Sequence, residues 1–182
     1  MRNAFIAAAE KVGALTVACE TPEQVIRYLA GKVQGPLVLP SCPSLVRSAM
    51  TGLLQKAGVE IIADDFRRLA PAAAAGLTGA NFAIAATGTV VLESTAEAIR
   101  LASTLPERHF ILLDPAKIIS DSGVAVPFLR QLHARLPQIY LAYLTGPSRT
   151  ADIERVLTIG VHGPKELHIL LCEGVSDDFL ES

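Results

Sequence analysis

The sequence predicts an α/β fold: an open, mostly parallel sheet with helices on both faces. Three observations predict it. Apolar runs of strand length alternate with longer segments of helical period through residues 1–62, giving a β-α-β-α-β rhythm. The breaks between them hold helix-start and turn residues, such as Thr21-Pro22 and Gly35-Pro36. The chain has 182 residues, half of them hydrophobic, which suits a single domain over residues 1–182 with a sizeable core.

Taken in order, residues 2–12 place Phe5, Ile6 and Ala9 on one helical face, and this N-terminal helix with its exit reaches about residue 14. Residues 15–18 form a short strand. Thr21, Pro22 and Gln24 match N-cap, N1 and N3 of a helix running to about Lys32. Leu37, Val38 and Leu39 make a buried strand. A second helix is expected over 43–56, closed by Gly58, and a strand over 59–62. The middle breaks the rhythm. Apolar runs at 72–78, 82–86 and 89–92 are divided by Gly or Thr-Gly, which suggests tightly joined strands with a hairpin at Thr87-Gly88. A helix over 95–104, a strand over 110–113 and a helix over 124–136 follow. A strand over 139–144, a helix over 150–158 and a strand over 167–172 complete the alternation. The acidic segment 173–182 is expected to be a mobile tail.

Composition excludes several functions. Net charge is −2 and the basic residues are scattered, which argues against nucleic acid. Cys19, Cys42 and Cys172 are odd in number and widely spaced, so neither an iron–sulfur nor a zinc site is expected from this chain alone. No pair of histidines has the spacing of a mononuclear metal site, and no metal is expected. Glu10 and Lys11 interrupt what would otherwise be a signal core, and no run approaches the ~20 apolar residues of a spanning helix. A soluble cytoplasmic protein is expected. Mean hydropathy of +0.40 points to a large core or to an apolar surface covered by a partner. A homo-oligomer stays open.

The richest stretch is Thr145-Gly146-Pro147-Ser148-Arg149-Thr150-Ala151-Asp152-Ile153-Glu154, followed by Gly160-Val161-His162-Gly163-Pro164. It reads as strand, Gly-Pro turn, helix start and second turn. Ser148 or Thr150 would cap the helix, and Arg149 beside free N–H groups would suit an anion. The competing reading is an ordinary cap with a solvated arginine. Asp152 and Glu154 suit the positive end of the helix dipole.

This stretch resembles the signature of the LUD (lactate utilisation) domain family, in its lactate-utilisation C-type branch. The run Thr78-Gly79-Ala80-Asn81-Phe82 through Thr87-Gly88-Thr89-Val90-Val91-Leu92 is similar to the family's central glycine motif, and Arg100-Leu101-Ala102-Ser103-Thr104-Leu105-Pro106 to the segment that follows it. The resemblance covers most of residues 76–172. It implies a three-layer α/β fold similar to that of ribose-phosphate isomerase, glucosamine-phosphate deaminase and the coenzyme A transferases. In such sheets ligands gather at the carboxyl ends of strands, which singles out the loops after Leu39, Ala86, Leu113 and Leu144. The family is expected to carry a glutamate where this chain has Ala86.

Candidate ligand-binding residues are therefore Thr87, Gly88, Thr89, Arg100, Ser148, Arg149, Thr150 and His162. Glycine between two threonines can form an anion-binding nest, or a plain turn. Arg100 shares a helix face with Ser103 and could hold an anion or simply be solvated. His162 and Glu93 are the candidates for acid–base chemistry, His162 with a helix-capping alternative and Glu93 expected to face away from the Thr-Gly loop. His168 is read as structural, and Cys42 as a packed thiol before a reactive one. Thr87–Thr89 and Ser148–Thr150 are expected to converge on one anion pocket at the carboxyl-end face.

The resemblance implies an accessory subunit of a cytoplasmic system that oxidises lactate to pyruvate. Iron–sulfur clusters are expected on partner subunits and no cofactor in this chain, whose own part would be assembly or binding of a small carboxylate or phosphate. Two alternatives remain: a free-standing isomerase- or transferase-like enzyme for a small anionic or phosphorylated substrate, and a pure protein-interaction module.

Overall fold

Side chains alternate across a strand, so a sheet covered on both faces needs apolar residues at consecutive positions. The last strand, ELHILLC, and the strand RHFILL have that character. A computed structural model describes residues 1–135, 138–151 and 157–181. The elements run α1 (Arg2–Lys11), β1 (Leu15–Cys19), α2 (Pro22–Lys32), β2 (Leu37–Val38), α3 (Pro43–Arg47), α4 (Met50–Lys56), β3 (Ile61–Ile62), α5 (Phe66–Leu69), β4 (Ala75–Gly79), β5 (Phe82–Ile84) and β6 (Thr89–Glu93). They continue with α6 (Glu97–Thr104), β7 (Arg108–Leu113), β8 (Ile118–Ile119), α7 (Ser122–Arg135), β9 (Leu141–Leu144), β10 (Arg149–Thr150), β11 (Thr158–Ile159) and β12 (Glu166–Cys172). Short 3₁₀ turns follow α5 and β7, at Ala70–Ala72 and Pro115–Lys117.

Six strands form an entirely parallel sheet in the order β1-β12-β7-β4-β2-β3. Its two faces are sorted by residue parity. Leu77, Phe110, Leu112, Leu170 and Cys172 pack with Val25, Leu29, Leu45, Met50 and Leu54, so α2, α3 and α4 cover one face. Ile111, Leu113, Ile169 and Leu171 pack on the other face with Phe5 and Ala9 of α1 and with Ala83 and Val90 of a second sheet. At the β2–β3 end, Val38 and Ile62 meet Ala102 of α6 and Ala70. The second sheet has the order β8-β5-β6-β9, with β5–β6 and β6–β9 antiparallel and β5–β8 parallel. The α/β class, the mostly parallel sheet and the hairpin at Thr87-Gly88 match the sequence-based expectation.

Local chemistry explains the differences. The helix expected over 43–56 is broken at Ala49, which has φ 52. Ser48 Oγ bonds back to Ser44 O at 2.7 Å, competing with continuation of the helix. The break leaves Met50 and Leu54 fully buried. At α2, Gln24 reaches back to Glu20 N at 2.8 Å, while Thr21 makes no side-chain cap bond. The helix expected over 150–158 is contradicted at both ends. Arg149 and Thr150 pair antiparallel with Ile159 and Thr158, so the residues at both ends of that span are strand residues. Asp152 and Glu154 lie outside the described residues, as does Leu136.

The acidic segment expected to be mobile is instead laid back over the domain along 173–181. Val175 and Ser176 are buried, and the Phe179 ring stacks on Phe128 with centroids 4.2 Å apart. Sequence polarity suggested solvent, but its carboxylates find cations on the surface beneath.

His109, on β7, is fully buried. Its Nε2 lies 2.9 Å from Thr78 Oγ1 and its Nδ1 has no partner. Burial pushes the imidazole down to about 3 from an ordinary value of 6.5. The unfolded chain therefore takes up a proton that the folded chain refuses. Stability is full above about pH 6.5 and is lost as pH falls from there towards 3, by up to ~1.4 kcal/mol per pH unit for one such group. His168, lowered by burial against the opposing pull of Glu166, acts in the same direction. Urea denaturation at pH 7 and pH 5 is expected to show a smaller loss for His109→Gln than for the wild type. Equal losses would remove His109 from this account.

Candidate functional site

Parallel strands deliver their carboxyl ends to one edge, and here that edge gathers the polar side chains. After β2 the chain turns through Pro40-Ser41-Cys42 into α3. Cys42 Sγ accepts the Gly79 N–H at 3.3 Å, which joins the ends of β2 and β4. After β7, Asp114 accepts Ala116 N at 2.9 Å and so starts the 3₁₀ turn that carries Lys117. The Lys117 side chain is wholly buried, and its Nζ donates to Ala80 O at 2.5 Å and to Glu181 Oε1 at 2.5 Å. Glu181 Oε2 accepts Ser44 N at 2.9 Å. Beside this group, Asn81 Oδ1 accepts Glu93 N at 2.6 Å, and Asn81 Nδ2 donates to Phe179 O at 3.2 Å.

Several cavities open along this edge, and two of them adjoin the groups just described. The smaller, of about 200 Å³, is lined by Cys42, Gly79, Asn81, Glu93 and Glu181 among others. The larger, of about 860 Å³, lies between Arg2, Arg47 and Asp114 on one side and residues 173–178 on the other. The charges alternate between fold and overlying segment. Arg2 pairs with Glu173 at 2.8 Å, Arg47 with Asp178 at 3.3 Å, and Lys117 with Glu181. Asp114 Oδ2 also accepts Ser176 N at 3.2 Å. Cys42 is no nucleophile here: burial pushes its thiol up to about 12, against the smaller pull of the Gly79 N–H. Among the described residues, no group of three or more His, Cys, Asp and Glu side chains is arranged to hold a metal ion.

The residues singled out from the sequence fall mostly elsewhere. Thr87–Thr89 and Thr145 do come together: Thr87 Oγ1 lies 2.7 Å from Thr89 Oγ1, which lies 2.8 Å from Thr145 Oγ1. At this turn Ala85, Ala86 and Gly88 all donate their N–H groups to backbone carbonyls. Gly88 instead lies against α1, where a Cβ would stand 2.3 Å from Ala9 N. A Cβ on Gly146 would stand 2.2 Å from Val12 O, and one on Gly13 would stand 2.8 Å from Arg149 Nη2. Thr87–Thr89 and Ser148–Thr150 thus meet around the C-terminal half of α1. Gly13 leads into β1, and Ser148 N donates to Pro164 O just before β12, so this cluster lies towards the amino-end edge of the parallel sheet. The expectation that both loops open at the carboxyl-end face is corrected. β5, β6 and β9 belong to a second, mixed sheet, so their ends do not share that face.

Arg100 donates to Ser94 O at 2.7 Å and Thr95 O at 2.5 Å and lies 5.4 Å from the centre of the Tyr140 ring, which fastens the exit of β6 to the entry of β9. His162 is exposed in the bend after β11. Ala86 is exposed at the hairpin and is not among the residues lining these two cavities. Of the two acid–base candidates, Glu93 lines the smaller of these cavities. The sequence reading missed Ser44, Lys117 and Glu181, although the loops carrying Ser44 and Lys117 follow two of the four strand ends it singled out. The Asp-Pro-Ala-Lys run immediately after a buried strand was the available signal.

Comparisons with known proteins agree with this fold. A family model described as the LUD domain matches residues 3–172. Lactate utilization protein C of Bacillus subtilis is 31% identical over 165 residues, covering 83% of this chain and 67% of that protein. Lactate utilization protein C of Anoxybacillus flavithermus is 30% identical, covering 85% of this chain and 70% of that protein. An uncharacterized protein of Neisseria meningitidis serogroup B is 40% identical over 97 residues, a match that spans only 41% of its length. In structure, a DUF162 family protein from Deinococcus radiodurans superposes with a TM-score of 0.67 at 19% identity, covering 94% of this chain and 95% of that one, which is a likeness of fold. With the family model running across nearly the whole parallel sheet and its overlying hairpins, this chain belongs to the LUD domain family.

Proposed function

We propose that this chain serves lactate utilisation as a cytoplasmic accessory subunit that binds a small carboxylate, beside partner subunits that carry iron–sulfur clusters. The observation that carries the reading is the way cations at the carboxyl-end edge hold carboxylates. Arg2 and Arg47 line a cavity there together with carboxylates, and the wholly buried Lys117 pairs with the carboxylate of Glu181, at the place where open α/β sheets receive ligands. The relatives named lactate utilization protein C supply the metabolic context.

A partner subunit has a surface to use. β9 is an edge strand of the second sheet, with Tyr143 half exposed. Tyr140, Leu157, Ile159 and Val161 on and near the β9–β11 segments are also about half exposed or more. Exposed apolar side chains on one region suit burial against another protein.

Disruption of the gene is expected to slow growth on lactate as carbon source, with growth on glucose unchanged. Anaerobic affinity capture from lactate-grown cells is expected to recover subunits with cluster-ligating cysteine motifs. Normal growth on lactate together with recovery of the chain alone would overturn the reading.

A further inference from the structure

We propose that Lys117 Nζ and the N–H and hydroxyl of Ser44, set over Gly79, form a binding site for a small monocarboxylate with an oxygen on its α-carbon, and that Glu181 occupies this site as an internal stand-in. The inference rests on the reading that the chain binds a carboxylate at the carboxyl-end edge, and it names the site, the ligand class and the competitor.

The Glu181 carboxylate is held as a bound ligand would be. One oxygen lies 2.5 Å from the buried Lys117 Nζ and the other accepts Ser44 N at 2.9 Å. A buried cation without a partner is costly, so Glu181 can leave only in exchange for another anion. Glu93, across the small cavity, disfavours a second negative charge on the incoming ligand, which selects a monocarboxylate over phosphate.

One polar atom remains unsatisfied while Glu181 is in place. Ser44 is 1% exposed, and its hydroxyl has no hydrogen-bond partner. It projects to the same spot as the carboxylate: a Cβ on Gly79 would stand 2.1 Å from Ser44 Oγ and 3.3 Å from Glu181 Oε2. Glutamate presents only methylene carbon next to its carboxylate. A 2-hydroxy or 2-oxo acid presents an oxygen there, which can pair with the hydroxyl that Glu181 leaves unpaired. The adjacent cavity of about 200 Å³ accommodates the remainder of a small acid.

Glu181 is also replaceable. It takes φ 50, a conformation that side chains rarely adopt, at the end of a segment whose remaining anchors include the ion pairs Arg2–Glu173 and Arg47–Asp178, the Ser176–Asp114 bond and the stack of Phe179 on Phe128. Ligand entry then releases residues 176–181 from the edge.

The test is calorimetric titration of the full chain with lactate, pyruvate, propionate and inorganic phosphate, with hydrogen exchange of residues 176–181 recorded alongside. Glu181→Gln is expected to bind lactate roughly tenfold more tightly than the wild type, because the internal competitor loses its charge. Lactate is expected to bind roughly tenfold more tightly than propionate, which lacks the α-oxygen. Lys117→Met is expected to abolish binding, and Gly79→Ala, which fills the cradle, to do the same should Lys117→Met fail to fold. Saturating lactate is expected to speed amide exchange at Ser176, whose N–H is held by Asp114 of the sheet edge, and at Leu180, whose N–H is held by Asp178 within the docked segment. If carboxylates bind but Glu181→Gln and Gly79→Ala leave affinity unchanged, this site falls while carboxylate binding by the chain stands. Loss of binding in Arg149→Ala with retention in Lys117→Met would place the site at the opposite edge and overturn the proposal. Absence of carboxylate binding in the wild type and in Glu181→Gln would overturn both the site and the carboxylate-binding part of the functional reading, leaving the growth phenotype to judge the rest.

Discussion

Substitution of Gly76 by alanine is expected to destabilise the domain by about 3 kcal/mol or more. Gly76 lies in β4, paired with His109 of β7 on one side and Val38 of β2 on the other. A Cβ at this position would stand 2.0 Å from Ala102 O, 2.8 Å from Ala102 C and 3.2 Å from Ala102 Cα. These are backbone atoms of α6, which cannot rotate aside as a side chain can. Either α6 lifts from the sheet, exposing Val38, Ile62 and Ala102, or β4 slips against two hydrogen-bonded neighbours. Urea denaturation checks this directly. A variant within 1 kcal/mol of the wild type, by the ~1 kcal/mol scale of ordinary substitutions, would show that α6 moves freely on the sheet.

Gly88→Ala is expected to cost a similar amount through two separate causes. Gly88 has φ +66, which alanine adopts only at a cost of about 1 kcal/mol. The added Cβ would also stand 2.3 Å from Ala9 N and 2.5 Å from Ala8 C, so α1 must withdraw. That exposes Phe5 and Ala9 and opens the core between the two sheets. Gly58 separates the causes. It has φ +78, with no atom within 4 Å of an added Cβ, so Gly58→Ala is expected to lose only the conformational part, about 1 kcal/mol. Equal losses at Gly58 and Gly88 would show that the contact with α1 carries no weight. Limited proteolysis is a second readout: cleavage within α1 should accelerate in Gly88→Ala and not in Gly58→Ala.

These two glycines show why a motif in sequence need not mark a ligand. Gly79 and Gly88 belong to the same glycine-rich stretch. Gly79 borders a cavity with Lys117 and Ser44 close by, whereas Gly88 makes room for a helix. The spacing is the same kind of signal in both cases; the difference lies in which element packs above. Arg149 makes the same point. Its neighbours in sequence are hydroxyls and turn residues, as an anion site would require, yet its guanidinium lies against Gly13 at the end of α1. A cation near a helix C-terminus is favourable on electrostatic grounds alone.

Much of the parallel sheet was legible from local pattern. Continuous apolar runs such as 110–113 and 169–172 can be buried on both faces only in a sheet covered on both sides, and Thr21-Pro22 and Gly35-Pro36 mark where helices begin and strands follow. The hairpin at Thr87-Gly88 was legible for the same reason: a glycine between two short β-forming runs permits the required φ > 0. Those properties belong to stretches of a few residues, so sequence by itself determines them. Other features are relations between distant residues. The break at Ala49 serves the burial of Met50 and Leu54. Residues 149–150 pair with 158–159, a relation between positions that local pattern does not reveal. The acidic segment after β12 looked solvated by composition, and it is docked because Arg2, Arg47 and Lys117, 64 to 171 positions away for the outermost two pairs, face it from the sheet edge. Tertiary structure alone decided the site, since a buried lysine acquires its meaning from the carboxylate, carbonyl and hydroxyl that folding brings to it.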